Sequence, residues 1–138
     1  MLYISPMTER EPKTETRTVL FREGNLFPAL TGERQITLRK YRPEAHDFKT
    51  GELFVGSFKD GLDILLQATA DTEVKTFNDL SDEEAREDGF KDAEDAFNGM
   101  HEYYPDLTPD TRLAIVRFEV AKINGIPSVR ANINYLDS

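Results

Sequence analysis

The stretch GERQITLRK, residues 32–40, holds the side chains best suited by type and spacing to chemistry: Arg34, Thr37 and Arg39. Thr37 and Arg39 stand two apart, so in a strand they leave the same face. Arg34 falls in the turn just before. Together they offer two guanidinium forks and a hydroxyl to one small region. Planar paired donors suit a phosphate, a carboxylate or a base edge. The competing reading is a solvated strand edge whose arginines pair with neighbouring acids, and spacing alone leaves both open.

Asp88 is the acid that stands out, because it precedes Gly89 at the end of a short helical stretch. A negative charge there opposes the helix dipole unless it serves something else. Pairing with Arg34 or Arg39 across a cleft is one such service, and a bland exposed acid is the alternative. Phe90, Tyr103 and Tyr104 could form a wall on which a base stacks, although at helical spacing after Phe97 and Met100 at least one tyrosine belongs to a core. His46, in a polar loop, reads as solvated or as lining the cleft. Asp82, Glu83 and Glu84 cap and solvate a helix start, and their spacing is not that of a calcium loop.

Composition narrows the classes. The 138 residues are long enough for one domain with a core that needs no staples. There is no cysteine, which excludes disulfides, thiol nucleophiles and Cys-ligated zinc. The two histidines lie far apart and fit no metal spacing, so neither metal nor cofactor is expected. No apolar run matches a membrane span or a signal core, and a cytoplasmic protein without membrane contact is expected. The net charge of −9 argues against broad, non-specific nucleic-acid binding. Charge is uneven, however: Arg34, Arg39, Lys40, Arg42 and Lys49 cluster, while acids crowd 71–110. A local cationic cleft in an acidic body fits that distribution.

The elements that must position these residues follow from pattern. Residues 1–16 are polar and aperiodic, an arm that is mobile or partly docked. Thr18–Phe21 reads as a strand, and Asn25 as the N-cap of a short helix with Pro28 in its first turn and Gly32 at its left-handed end. Gln35–Arg39 reads as a strand, Tyr41–Gly51 as a turn-rich loop, and Glu52–Phe58 as a strand. Lys59-Asp60-Gly61 then predicts a hairpin into Gly61–Val74, a bent strand or two pieces. Ser81 with Glu84 makes a capping box for a helix to about Glu87. A second helix starts near Asp92, carries Ala93, Ala96, Phe97 and Met100 on one face, and stops at Pro105. Arg112–Ile123, Asn124-Gly125 and Ser128–Tyr135 predict a closing hairpin. The order predicts an α+β fold, a curved and mostly antiparallel sheet or barrel with two to three short helices at one end.

At this point the residues resemble a family. Gly32, Arg34 in the usual lysine place, and Arg39 follow the G-x-K-x-x-x-x-R signature of ASCH domains, of the PUA-like superfamily. His46-Asp47-Phe48-Lys49-Thr50-Gly51-Glu52 is similar to that family's phi-K-x-G-[DE] turn before the next strand. Asp88-Gly89-Phe90 resembles its helix junction, Tyr103-Tyr104-Pro105 its stop after the second helix, and Ile115–Phe118 its closing strand. The resemblance spans about 18–120 and implies a PUA-like barrel whose cleft binds RNA or a modified nucleoside. It also implies either of two activities known in such proteins, N(4)-acetylcytidine amidohydrolase or ribonuclease. The amidohydrolases use Lys, Thr and Glu; here Thr37 carries over, Asp88 stands for the acid with Glu87 adjacent, and Arg34 replaces the lysine. Arginine effectively never gives up its proton, so the change favours binding over catalysis.

Three readings result. The first is a module that binds RNA or a modified nucleoside through Arg34, Thr37, Arg39, Lys49 and Tyr103. The second is a small hydrolase centred on Thr37 and Asp88. The third is an acidic domain that engages a basic protein partner. The strand at 128–135, beyond the resemblance, is a candidate for homodimerisation or for closing the barrel.

Overall fold

The structure is a computed structural model that describes residues 16–132. Most of the expected arm and the end of the last expected strand lie outside the described residues.

The chain opens with β1 (Thr18–Phe21) and α1 (Leu26–Thr31). Helix α1 tolerates Pro28 because that residue lies in the first turn, where its missing N–H has no intrahelical partner. It ends at Gly32, whose φ of 81° is the left-handed conformation that glycine adopts without penalty. Asn25 differs from expectation: its side chain makes no capping hydrogen bond and is used elsewhere. Next come β2 (Ile36–Lys40), α2 (Pro43–His46), β3 (Leu53–Phe58), β4 (Leu62–Ala68) and β5 (Glu73–Thr76). After a 3-10 turn at Phe77–Asp79 follow α3 (Asp82–Glu87) and α4 (Ala93–His101). The chain then forms β6 (Arg112–Val120), β7 (Lys122–Ile123), β8 (Ile126–Pro127) and β9 (Val129–Ala131).

The strands form a curled mixed sheet, a half-barrel, in the order β1-β3-β4-β6-β2, within an α+β fold. Strand β1 runs parallel to β3, with Thr18 opposite Val55, and the other pairings are antiparallel. The 62–76 segment is indeed two pieces: β4 pairs with Phe118–Val120 of β6, and β5 resumes along Arg112–Ile115 of the same strand.

Three expectations need correcting. The 41–51 loop contains α2, for which Pro43 at its start is preorganised, so the described helices number four. The closing hairpin is only its tip. Asn124 and Gly125, with φ of 55° and 79°, turn β7 onto β8. Strand β9 then pairs with β4 rather than β6. The reason is visible in the backbone: Ala121 donates to the Leu65 carbonyl, and Leu65 donates to that of Ser128. The chain is thus on β4 both before and after the excursion, and β9 continues the line of β6.

Strand alternation divides the interior in two. Ala114, Val116 and Phe118 of β6 face a core inside the curl with Phe21, Phe48, Phe54 and Phe58. Leu113 and Ile115 face the second core with Ile36, Leu38, Ala85, Ala96 and Met100, under α3 and α4. Burying one aromatic or aliphatic side chain contributes about 1.5–3 kcal/mol, and β6 serves both layers. The capping box holds α3 in place: Glu84 N–H donates to Ser81 Oγ, and Ser81 N–H donates to Glu84 Oε1, each at 3.0 Å.

Candidate functional site

Among the described residues, two strands of this sheet have an edge with no strand beside it and face a common hollow: β1 at one end of the order and β2 at the other. The hollow, about 490 Å³, is also bounded by the α3–α4 junction and the end of α4. Leu20, Phe21 and Arg22 line it from one edge, and Thr37, Leu38 and Arg39 from the other. Odd-numbered residues of β2 bond to β6, as Gln35 accepts from Phe118 and Tyr41 donates to Arg112. Ile36 and Leu38 send their side chains toward the helices, which leaves Thr37 and Arg39 on the inner face at the cleft floor.

Arg39 is the centre of the site. Its Nε donates to Thr37 Oγ1 at 3.0 Å, and its guanidinium carbon lies 4.9 Å from the centre of the Phe21 ring. That ring is fixed by stacking on Phe58, centroids 4.5 Å apart. Burial lowers the Arg39 pKa, and the nearby Tyr104 and Asp88 offset part of that cost. Among the described residues no protein group accepts a hydrogen bond from its two terminal nitrogens, and no carboxylate forms an ion pair with it. A half-buried guanidinium with open donors is costly unless a ligand uses them. Thr37, 5% exposed, accepts from Arg39 and so keeps its own hydroxyl proton for another partner.

Arg34 leaves the turn before β2, and its Nη1 donates to Asn25 Oδ1 at 2.6 Å. The Asn25 amide in turn donates to the Arg22 carbonyl at 3.0 Å, so the side chain expected to cap α1 instead orients Arg34. Gly89 makes room for the guanidinium: a Cβ there would stand 2.6 Å from Arg34 Nη2, and φ is +96°. Asp88, at the end of α3, accepts the Leu38 N–H through Oδ2 at 3.2 Å. Burial pushes its carboxyl up to about 6, against the Leu38 hydrogen bond and the charges of Arg34 and Arg39, which favour the ionised form. No hydrogen bond joins Asp88 to Thr37 among the described residues.

The aromatic wall is present in part. Tyr103, 54% exposed, stands at the rim beneath the Arg22 guanidinium, 3.9 Å above its ring centre. Tyr104 packs against the helix-side core while also lining the cleft, and Phe90 lies against Gly99. Lys49 is placed elsewhere. It is exposed in the turn before β3, where its N–H donates to Glu52 Oε1, and it does not line the hollow. His46 is neither solvated nor in the cleft: buried, it accepts the Arg42 N–H through Nδ1. Burial and the charges of Arg39 and Arg42 lower its pKa to about 4.

Arg22 and Asn25 were the site residues that pattern did not disclose. Both sit between β1 and α1, ahead of the signature and outside it: Asn25 enters through its bond to Arg34, nine residues on, and Arg22 lines the hollow from the end of β1.

No family model matches the chain, and no curated relative matches it. Among solved structures it is similar to the crystal structure of protein EF3133 from Enterococcus faecalis V583, described with the family model DUF984. The TM-score is 0.57 at 16% identity, over 80% of this chain and 78% of that one. The likeness is one of fold. Among the described residues no helix is long and apolar enough to cross a membrane.

Proposed function

We propose that the chain is an ASCH-type, PUA-like module that binds RNA or a modified nucleoside or nucleotide between β1 and β2. One observation carries this reading: the Arg39 guanidinium sits in a hollow with its terminal donors unused, beside the free proton of Thr37. The ordered family motifs support it, since residues from four of them (Arg34 and Arg39, Asp88 and Phe90, Tyr103 and Tyr104, Phe118) line the same hollow. The volume falls in the range of small-molecule sites. Tyr103 and Tyr104 offer flat surfaces of the kind on which bases stack.

Hydrolysis of an N(4)-acetylcytidine-type amide is the second reading. The Asp88 carboxyl, near 6, favours it, because a general base works best close to the operating pH. The permanently charged Arg34 and the lack of a Thr37–Asp88 hydrogen bond weigh against it. A thermal-shift panel of nucleosides, nucleotides and short RNAs tests binding, since a ligand selective for the folded form raises the melting temperature. Stabilisation that vanishes in Arg39→Gln supports the module. Release of acetate from N(4)-acetylcytidine would favour the hydrolase. Silence across the panel would favour a domain that binds a basic protein through its acidic surface.

A further inference from the structure

We infer that the cleft is built for a phosphomonoester, the terminal phosphate of a free nucleotide or of an RNA 5′ end, held by Arg34, Thr37 and Arg39. The inference rests on the reading that this cleft binds nucleosides or nucleotides, and it names the group that anchors them.

Charge pairing is the first support. Arg17, Lys40, Lys75, Arg117 and Arg130 each meet a carboxylate within 3.4 Å. Arg22, Arg34 and Arg39 line one hollow, and among the described residues none of them does so. Among the described residues Lys49, Lys59, Arg86, Lys91, Arg112 and Lys122 also lack a salt bridge, but none of them lines the hollow. What marks this place is three guanidiniums without an ion pair around one cavity, an arrangement that suits an outside anion.

Donor chemistry is the second. Around the floor, Arg39 offers its terminal nitrogens, Arg34 its Nη2, since Nη1 is given to Asn25, and Thr37 its hydroxyl proton. The carboxyl between the two arginines, Asp88, has an oxygen occupied by the Leu38 N–H, and Glu102 lines the hollow from the end of α4. A base edge alternates donors and acceptors, whereas the terminal oxygens of a phosphate dianion only accept. A donor-rich floor with one partly used acceptor therefore matches phosphate. A phosphomonoester carries about −1.5 to −2 near neutral pH. Three arginines against the two acids of the lining, Asp88 and Glu102, leave the hollow net positive, the sign that an incoming phosphate needs.

Asp88 then acts as a brake. From the turn before β2 it faces Arg34, from β2 Arg39 and the Leu38 N–H; Tyr104 and Glu102 bound the cleft from the end of α4, and Arg22 from the end of β1. An ionised Asp88 repels the incoming dianion, and neutralising it should strengthen binding.

The test is calorimetric titration of the full chain near neutral pH. Ligands are cytidine and adenosine 5′-monophosphates, the parent nucleosides, inorganic phosphate, and one short RNA bearing either a 5′-phosphate or a 5′-hydroxyl. The phosphorylated member of a pair is expected to bind about tenfold or more tightly than its partner. The gap should close in Arg39→Gln and in Arg34→Gln, and widen in Asp88→Asn, whose amide oxygen can still accept from Leu38. Preference for the monophosphates points to a free nucleotide, and preference for the phosphorylated RNA points to a strand end. Circular dichroism checks that each variant folds, and Arg39→Lys, which keeps charge without the fork, should retain only part of the gap. Equal affinity within every pair, or weaker phosphate binding in Asp88→Asn, overturns this inference while leaving nucleoside binding intact. No binding by any compound removes the underlying reading as well.

Discussion

Asp88 closes the open edge of β2: its carboxylate accepts the Leu38 N–H at 3.2 Å, joining the end of α3 to the signature strand. The fold raises its pKa from 3.8 to about 6. A raised carboxyl pKa means the protonated form suits the fold, so this contribution is complete below 3.8 and is lost as pH climbs through about 6. Asp88→Asn should therefore gain on wild type as pH rises from 4 to 7, by at most about 3 kcal/mol at about 1.4 kcal/mol per unit. Parallel thermal melts across that range measure the gain. A constant difference would mean the carboxyl titrates normally.

His46 has the opposite sign. Its pKa is lowered from 6.5 to about 4 by burial and by Arg39 and Arg42. The neutral ring stabilises the fold above 6.5, and that contribution disappears as pH falls toward 4. Wild type should lose stability relative to His46→Gln over this interval, up to about 3 kcal/mol. Urea midpoints of the two proteins at several pH values provide the comparison, and parallel curves would contradict it.

Gly89→Ala tests how tightly Arg34 is seated. The substitution meets both a φ of +96° and a contact of 2.6 Å with Nη2. A loss of about 1–2 kcal/mol is expected from the backbone term. Ligand affinity should fall too, because the guanidinium must leave its place beside Asn25. Denaturation and titration of the same sample report both, and unchanged binding would show that Arg34 is not an anchor.

Local signals were legible wherever one residue type dictates the outcome. Gly32 ended α1, Ser81 and Glu84 capped α3, and the Ala96–Met100 face buried as its spacing demanded. Arg34, Thr37, Arg39, Asp88 and Tyr103 also reach a common hollow. What stayed hidden was pairing between distant segments. Nothing in Thr18–Phe21 says that it runs parallel to Leu53–Phe58, or that Val129–Ala131 prefers β4, because alternation sets a face and not a neighbour. Lys49 was drawn into the candidate set by its motif, yet it is exposed and does not line the hollow. Arg22 and Asn25 lie outside the motif, and no residue pattern says that Asn25 turns back across α1 onto Arg34.

Arg39→Met should separate stability from binding. Removing a desolvated guanidinium that lacks full hydrogen bonding relieves a cost, while the unbranched side chain can still cover Phe21. The ligand-free variant should melt higher by a few degrees, about 1 kcal/mol, and fail to bind nucleotides. A lower melting temperature with intact binding would reverse the assignment.

Strand β6 touches both apolar layers and pairs with β2, β4 and β5. Neither layer can open without severing the same row of amides. The molecule should therefore lose its order in a single step, with the protons of Leu113–Phe118 the last to trade with deuterium. A guest wedged against β2 will slow that exchange on the far side of the sheet as well, so occupancy can be read from amides it never touches.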